Sequence, residues 1–166
     1  MAESAVSFAA DRMLGRLATW LRLLGFDTRY GPQWSGRALL RLARDEGRVV
    51  LTRDTRLQRV RQGPPLLFIE SDHFRAQLRQ VLSAYQLDPY TRLMTRCARC
   101  NEALQAVAKE SVAQQVPPYV YATQAEFVRC PHCRRLYWPA THAAHVRVEL
   151  AHLGYQPSAA DLPPTS

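Results

Sequence analysis

Residues 8–26 read FAADRMLGRLATWLRLLGF, and the fold class turns on this stretch. A short apolar run ends at a carboxylate, Asp11, and an amphipathic helix begins at once. Met13, Leu14, Leu17, Trp20, Leu21 and Leu24 recur at helical spacing along one stripe, with Arg12, Arg16, Thr19 and Arg22 largely on the other side. Gly25 is the residue type that helices favour just past their last turn. Many α/β enzymes present a reactive group in this way, on a strand that hands over to a helix through a carboxylate.

The alternation continues outward from there. Strands are predicted over residues 5–10, 27–30, 48–52 and 66–69, and helices over residues 12–24, 36–46, 55–61 and 73–86. Gly31-Pro32 and Gly63-Pro64-Pro65 mark turns, and Ser35 is placed to cap the second helix. The strands are continuous apolar runs rather than alternating ones. That pattern belongs to a mostly parallel sheet covered by helices on both faces. The expected organisation is an α/β core over residues 1–90, a cysteine module over 91–150 and a loose Pro- and Ser-rich tail over 151–166.

The apolar share of 47% is that of a globular chain. No apolar run approaches the ~20 residues that span a bilayer, and residues 1–12 lack the pattern of a signal peptide. A soluble cytoplasmic protein with no membrane association is expected. The net charge of +8 is carried almost wholly by arginine, with Lys109 the only lysine. Arginine excess follows either from a GC-rich genome or from a surface built for nucleic acid. It is concentrated in residues 1–92, which hold 15 arginines against 9 acids.

Asp11, Asp54 and Asp72 each follow a predicted strand within one to three residues. In a parallel sheet all strand C-termini share one edge, where ligand sites form. Carboxylates gathered there would repel one another unless a divalent cation such as Mg²⁺ or Mn²⁺ neutralised them. Each aspartate also suits a plain helix N-cap, so the pattern alone leaves both readings open. Asp27 starts its strand rather than ending it and suits a structural role, while Asp45 and Glu46 suit a solvated helix end.

Cys97, Cys100, Cys130 and Cys133 form C-x2-C-x29-C-x2-C, the spacing of two tight knuckles offering four thiolates to a structural Zn²⁺. Asn101, Arg134 and Arg135 are expected on exposed knuckles, and residues 119–121 and 136–138 as ribbon strands. His142 and His145 lack the spacing of a zinc-protease helix and suit packing or hydrogen bonding.

FAADRMLGRLATWLRLLGFDTRY, RVVLTRD, RC-x2-CN and C-x2-C-x3-YWPATH together resemble the Mut-seven C-terminal-type RNase domain family, from about Phe8 to His142. The resemblance implies a PIN-like three-layer α/β/α fold with a zinc ribbon, an acidic Mg²⁺ or Mn²⁺ site, and action on RNA. It implies Asp11 and Asp54 as metal-binding acids, with Asp72 matching a further acid by position. The expected activity is metal-dependent hydrolysis of RNA phosphodiester bonds, with Arg12, Arg16 and Arg53 clamping phosphates. The zinc ribbon would engage RNA, a ribosome or a protein partner. Family members tend to carry an acid just before the second helix, where this chain has Gln33-Trp34-Ser35-Gly36. That departure motivates an alternative, a non-catalytic RNA- or ribosome-binding adaptor.

Overall fold

The computed structural model describes residues 5–158, apart from the side chains of residues 139–141. Four parallel strands form the first sheet: β1 (Phe8–Ala10), β2 (Thr28–Arg29), β3 (Val49–Thr52) and β4 (Leu66–Phe68), in the order β2-β1-β3-β4. Between them run α1 (Gly15–Leu23) and α2 (Gly36–Glu46), and α3 (Phe74–Ala84) follows β4. Side chains alternate between the two faces, as the pleat requires. Phe8, Ala10, Val49 and Leu51 join α1 and α3 in one buried cluster. Ala9 and Val50 join Leu39, Leu40 and Ala43 of α2 in another. Both faces are therefore covered, and the expected α/β/α layering is present.

Helix one differs from its prediction at its start. Residues 12–14 form a 3-10 turn before α1 proper, with Asp11 in the N-cap position, where its carboxylate accepts from the Met13 N–H at 3.4 Å. Gly25 does more than end this helix. Its φ is +88°, and a Cβ there would lie 2.0 Å from the Arg92 carbonyl oxygen. The segment after α3 thus crosses the end of α1 at backbone contact, where only glycine leaves room.

A second, antiparallel sheet contains β5 (Gln105–Val107), β6 (Phe127–Arg129) and β7 (Leu136–Tyr137), in that order. Residues 119–121, predicted as a strand, instead lie in α4 (Pro118–Thr123). The reason is local: Pro118 sits at the first helical position, where its fixed φ is helical and its missing N–H has no cost. A last helix, α5 (Pro139–His152), leaves the ribbon and returns to the first layer. Its Val146 and Leu150, and Leu153 beyond it, enter the α1/α3 core. Glu149 pairs with Arg75 through two contacts of 2.9 and 3.1 Å. Residues 159–166, the rest of the expected tail, lie outside the described residues.

The ribbon is fastened to the outer strand of the parallel sheet. Asn101, expected on an exposed knuckle, is buried. Its side-chain oxygen accepts from the Thr28 N–H at 2.9 Å, and its amide donates to Asp27 at 2.7 Å. Asp27 also receives Arg48 at 2.7 Å. Arg22, expected on the polar side of helix one, is buried as well. It donates to the carbonyls of Thr28, Ala98 and Arg99 at 2.9, 3.2 and 2.9 Å. An edge strand has free donors and acceptors, and here knuckle and helix satisfy them. Burial is the largest single influence on the Asp27 carboxyl and would raise its pKa. The bonds from Arg48 and Asn101 and the Arg48 charge together outweigh burial and hold the pKa low. The resulting stabilisation is present above the ordinary carboxylate pKa and is lost as pH falls through the lowered one.

Asn101 also holds a left-handed φ of 70°. Replacing it with alanine removes the partner of a buried N–H and adds left-handed strain, a loss of about 2–4 kcal/mol. Urea unfolding of Asn101→Ala reads this directly. Asn101→Gly, relieved of the backbone part, is expected to lose less.

Candidate functional site

Parallel pairing of β1 with β3 sets Ala10 beside Leu51, and the Asp11 N–H extends the pairing by donating to the Leu51 carbonyl at 2.9 Å. Asp11 therefore arrives beside Thr52 at the C-terminal edge of the sheet. Thr52 is fully buried, and its hydroxyl donates to Asp11 Oδ2 at 2.7 Å. The Thr52 hydroxyl oxygen in turn accepts the Asp54 N–H at 2.9 Å. One hydroxyl thus links the side chain of the first acid to the backbone of the second.

Asp11 and Asp54 line a common cavity of about 340 Å³. Arg12, Arg53 and Arg56 contribute to its walls, and Ser35 and Gly36 close it from the start of α2. Ser35 occupies the N-cap position of α2, but its side chain makes no capping hydrogen bond. This wall is where an acid before the second helix would stand. The Asp54 carboxylate is held by the Arg56 guanidinium at 2.9 and 2.8 Å, and it also accepts the Arg56 N–H at 2.9 Å. Hydrogen bonds from Arg56 keep the Asp54 carboxyl below its ordinary pKa range. Arg56 escaped the sequence reading because only the turn after β3 folds it back onto Asp54. Arg53, expected as a phosphate clamp, donates to the Ile69 carbonyl at 2.9 Å while also lining the cavity.

Asp72 lies elsewhere. It is exposed and lines a separate depression of about 500 Å³ together with Arg16 and Phe74. Met13 lines both cavities. Asp27 stands before β2, at the opposite end of the strands from Asp11, and takes the structural role expected of it.

Cys97, Cys100, Cys130 and Cys133 bring their sulfurs within 4.8 Å of one another. Among the described residues they form the one group of three or more potential ligands this close together. The two knuckles repeat the same bonds. Cys97 N–H reaches the Glu102 carbonyl at 2.8 Å and Asn101 N–H the Cys97 carbonyl at 2.9 Å. In the second knuckle, Cys130 N–H reaches the Arg135 carbonyl and Arg134 N–H the Cys130 carbonyl, both at 3.0 Å. Asn101 and Arg134 take matching left-handed φ values of 70° and 64°. Burial raises the Cys100 thiol pKa, and hydrogen bonding to Cys133 and the neighbouring thiolate charges push it further, to about 12. Cys97 is also opposed by burial, but its bonds from Tyr137 and from the Cys100 and Arg99 N–H groups bring it to about 7. Four thiolates crowded in this way repel one another. A closed tetrahedral dication such as zinc resolves the conflict, and the all-sulfur donor set suits it.

The family model of the Mut7-C RNAse domain matches residues 6–150. The chain belongs to the Mut7-C RNAse domain family. The match takes in both the parallel sheet and the cysteine module, and it points to a nuclease-type function. Neither the curated proteins nor the solved structures give a match. In this Mut7-C chain His142 of α5 lies against Tyr137 and Trp138, and His145 against Trp20. No helix among the described residues is long and apolar enough to cross a membrane.

The four-cysteine geometry predicts one zinc ion per chain by elemental analysis, lost in Cys130→Ala. Chelation is expected to lower the melting temperature, because metal binding is then part of the folding free energy. A metal-free chain whose melting is insensitive to both chelator and added zinc would contradict the assignment.

Proposed function

We propose that the protein is a divalent-metal-dependent ribonuclease whose ion is held by Asp11 and Asp54. The observation that carries this reading is their convergence on one cavity, with Thr52 bonded to both. Carboxylate oxygens are the hard donors that Mg²⁺ and Mn²⁺ prefer. Arg56 already satisfies Asp54 as a cation would, and its side chain is 87% exposed. Exposed ion pairs are weak, so exchange of this guanidinium for an ion is easy. A bound divalent cation supplies an activated water and charge stabilisation at phosphorus.

The protein's own groups do the rest. Thr52 fixes the Asp11 carboxylate by its hydrogen bond, leaving the acid preorganised rather than free to rotate. Arg12 and Arg56 line the cavity and offer planar, bidentate donors to phosphate. Arg53 ties the end of β3 to Ile69 and keeps the Asp54 turn in place. Asp72, on the neighbouring depression, serves the substrate flanking the scissile bond rather than the ion. The zinc ribbon acts first as a structural brace, and its basic knuckle residues Arg134 and Arg135 remain available to RNA or a partner.

Asp11→Asn is expected to abolish Mn²⁺-stimulated cleavage of single-stranded RNA without unfolding the chain. Thr52→Val is expected to lower it by about 10–100-fold, the usual effect of losing a group that orients a metal ligand. Equal cleavage by wild type and Asp11→Asn would contradict the catalytic assignment. Salt-dependent RNA binding with no metal-dependent turnover would instead make the chain a non-catalytic adaptor.

A further inference from the structure

The depression beside the proposed metal site has a composition that phosphate binding alone does not require. The Arg16 guanidinium carbon lies 3.7 Å from the centre of the Phe74 ring, the distance of stacked planes. Phe74 is itself stacked on Trp20, with ring centres 5.6 Å apart and an interplanar angle of 29°. Trp20 is buried, Phe74 half-buried and Arg16 exposed, so the two contacts to Phe74 link the core to the surface at Arg16. Among the described residues no carboxylate pairs with Arg16, whereas Arg75, on the same ring, is held by Glu149. Arg16 thus presents an exposed planar cation backed by the Phe74 ring.

Met13, a large apolar side chain left 59% exposed, lines the same depression. A thioether and a ring-backed guanidinium lining one depression offer a slot suited to a flat, polarisable ring. Asp72 lines the same depression and offers an acceptor to exocyclic amino groups. Met13 also walls the cavity of Asp11 and Asp54, so whatever ring occupies the slot sits next to that cavity.

We propose that this slot is a nucleobase subsite, in which a base of single-stranded RNA flanking the scissile phosphate inserts between Met13 and Arg16. The inference rests on the nuclease reading above. A base inside a duplex is stacked and paired on its own strand and cannot enter, so the slot selects single strands. Stacking is tolerant of base identity, since every base has a π-face.

The test uses the full chain carrying Asp11→Asn to block turnover, and a fluorescein-labelled eight-nucleotide single-stranded RNA. Binding is followed by anisotropy with intact RNA, with RNAs made abasic at one position at a time, and with the matching duplex. One abasic position is expected to weaken binding about tenfold, the size of losing one stacked base. Adding Arg16→Lys, which keeps the charge and loses the plane, should weaken intact RNA by a similar factor and erase the abasic difference. Duplex should bind more weakly than single strand. Equal affinity for all the abasic RNAs and intact RNA, or abasic discrimination that survives Arg16→Lys, would overturn the subsite, as would duplex binding as tight as single strand. The abasic arm needs no substitution in the slot, so a misfolded Arg16→Lys cannot mask the result. Cleavage by wild type without abasic discrimination removes the subsite alone. Discrimination without any cleavage by wild type removes the nuclease reading alone, and absence of RNA binding removes both.

Discussion

The parallel pairing of β1 with β3 is the constraint on which the rest of the structure depends. Its register sets Ala10 against Leu51, and the next residue on each strand is then Asp11 or Thr52. A shift of one residue would turn Asp11 toward the other face and bury Ala9 against the wrong helix layer. The register is enforced by packing. Phe8 and Ala10 fit the α1/α3 side, and Ala9, small and fully buried, lets α2 lie close on the other. The hydroxyl of Thr52 then converts strand register into side-chain geometry, because it bonds at once to the Asp11 carboxylate and the Asp54 N–H.

The ribbon bears on this arrangement from the far end of the strands. Asn101 and Arg22 hold Thr28 at the start of β2, and Arg48, just before β3, joins the same network through Asp27. The knuckle therefore braces the sheet where its strands begin and leaves the edge bearing Asp11 and Asp54 open. A buried polar network of this kind is stable only if every member is satisfied. The cysteine cluster fixes the knuckle carbonyls of Ala98 and Arg99 that Arg22 requires.

Much of this was legible in the sequence. The helical stripe after Asp11, the β-branched run at residues 48–52 and the paired C-x2-C knuckles are local signals, and each led to the right element. What the sequence hid is tertiary. Asn101 and Arg22 read as surface residues because nothing nearby in sequence says that a distant strand edge will cover them. Residues 119–121 have the composition of a strand, but two preceding prolines set a helix start. The three strand-end acids read as equivalents, yet the chain runs on past β4 before Asp72, which lines the depression beyond Met13. The pairing of Arg56 with Asp54 depends on a turn too short to be read from periodicity.

The central claim is that Asp11 and Asp54 together bind a divalent cation. Its most direct test is a crystal structure of the chain soaked in Mn²⁺, with anomalous scattering used to locate the ion. The account predicts a manganese peak between the Asp11 and Asp54 carboxylates, with Arg56 displaced from Asp54 and the Thr52 bond to Asp11 retained. Absence of manganese from these carboxylates at a concentration that supports RNA cleavage, with Arg56 still seated on Asp54, would contradict it.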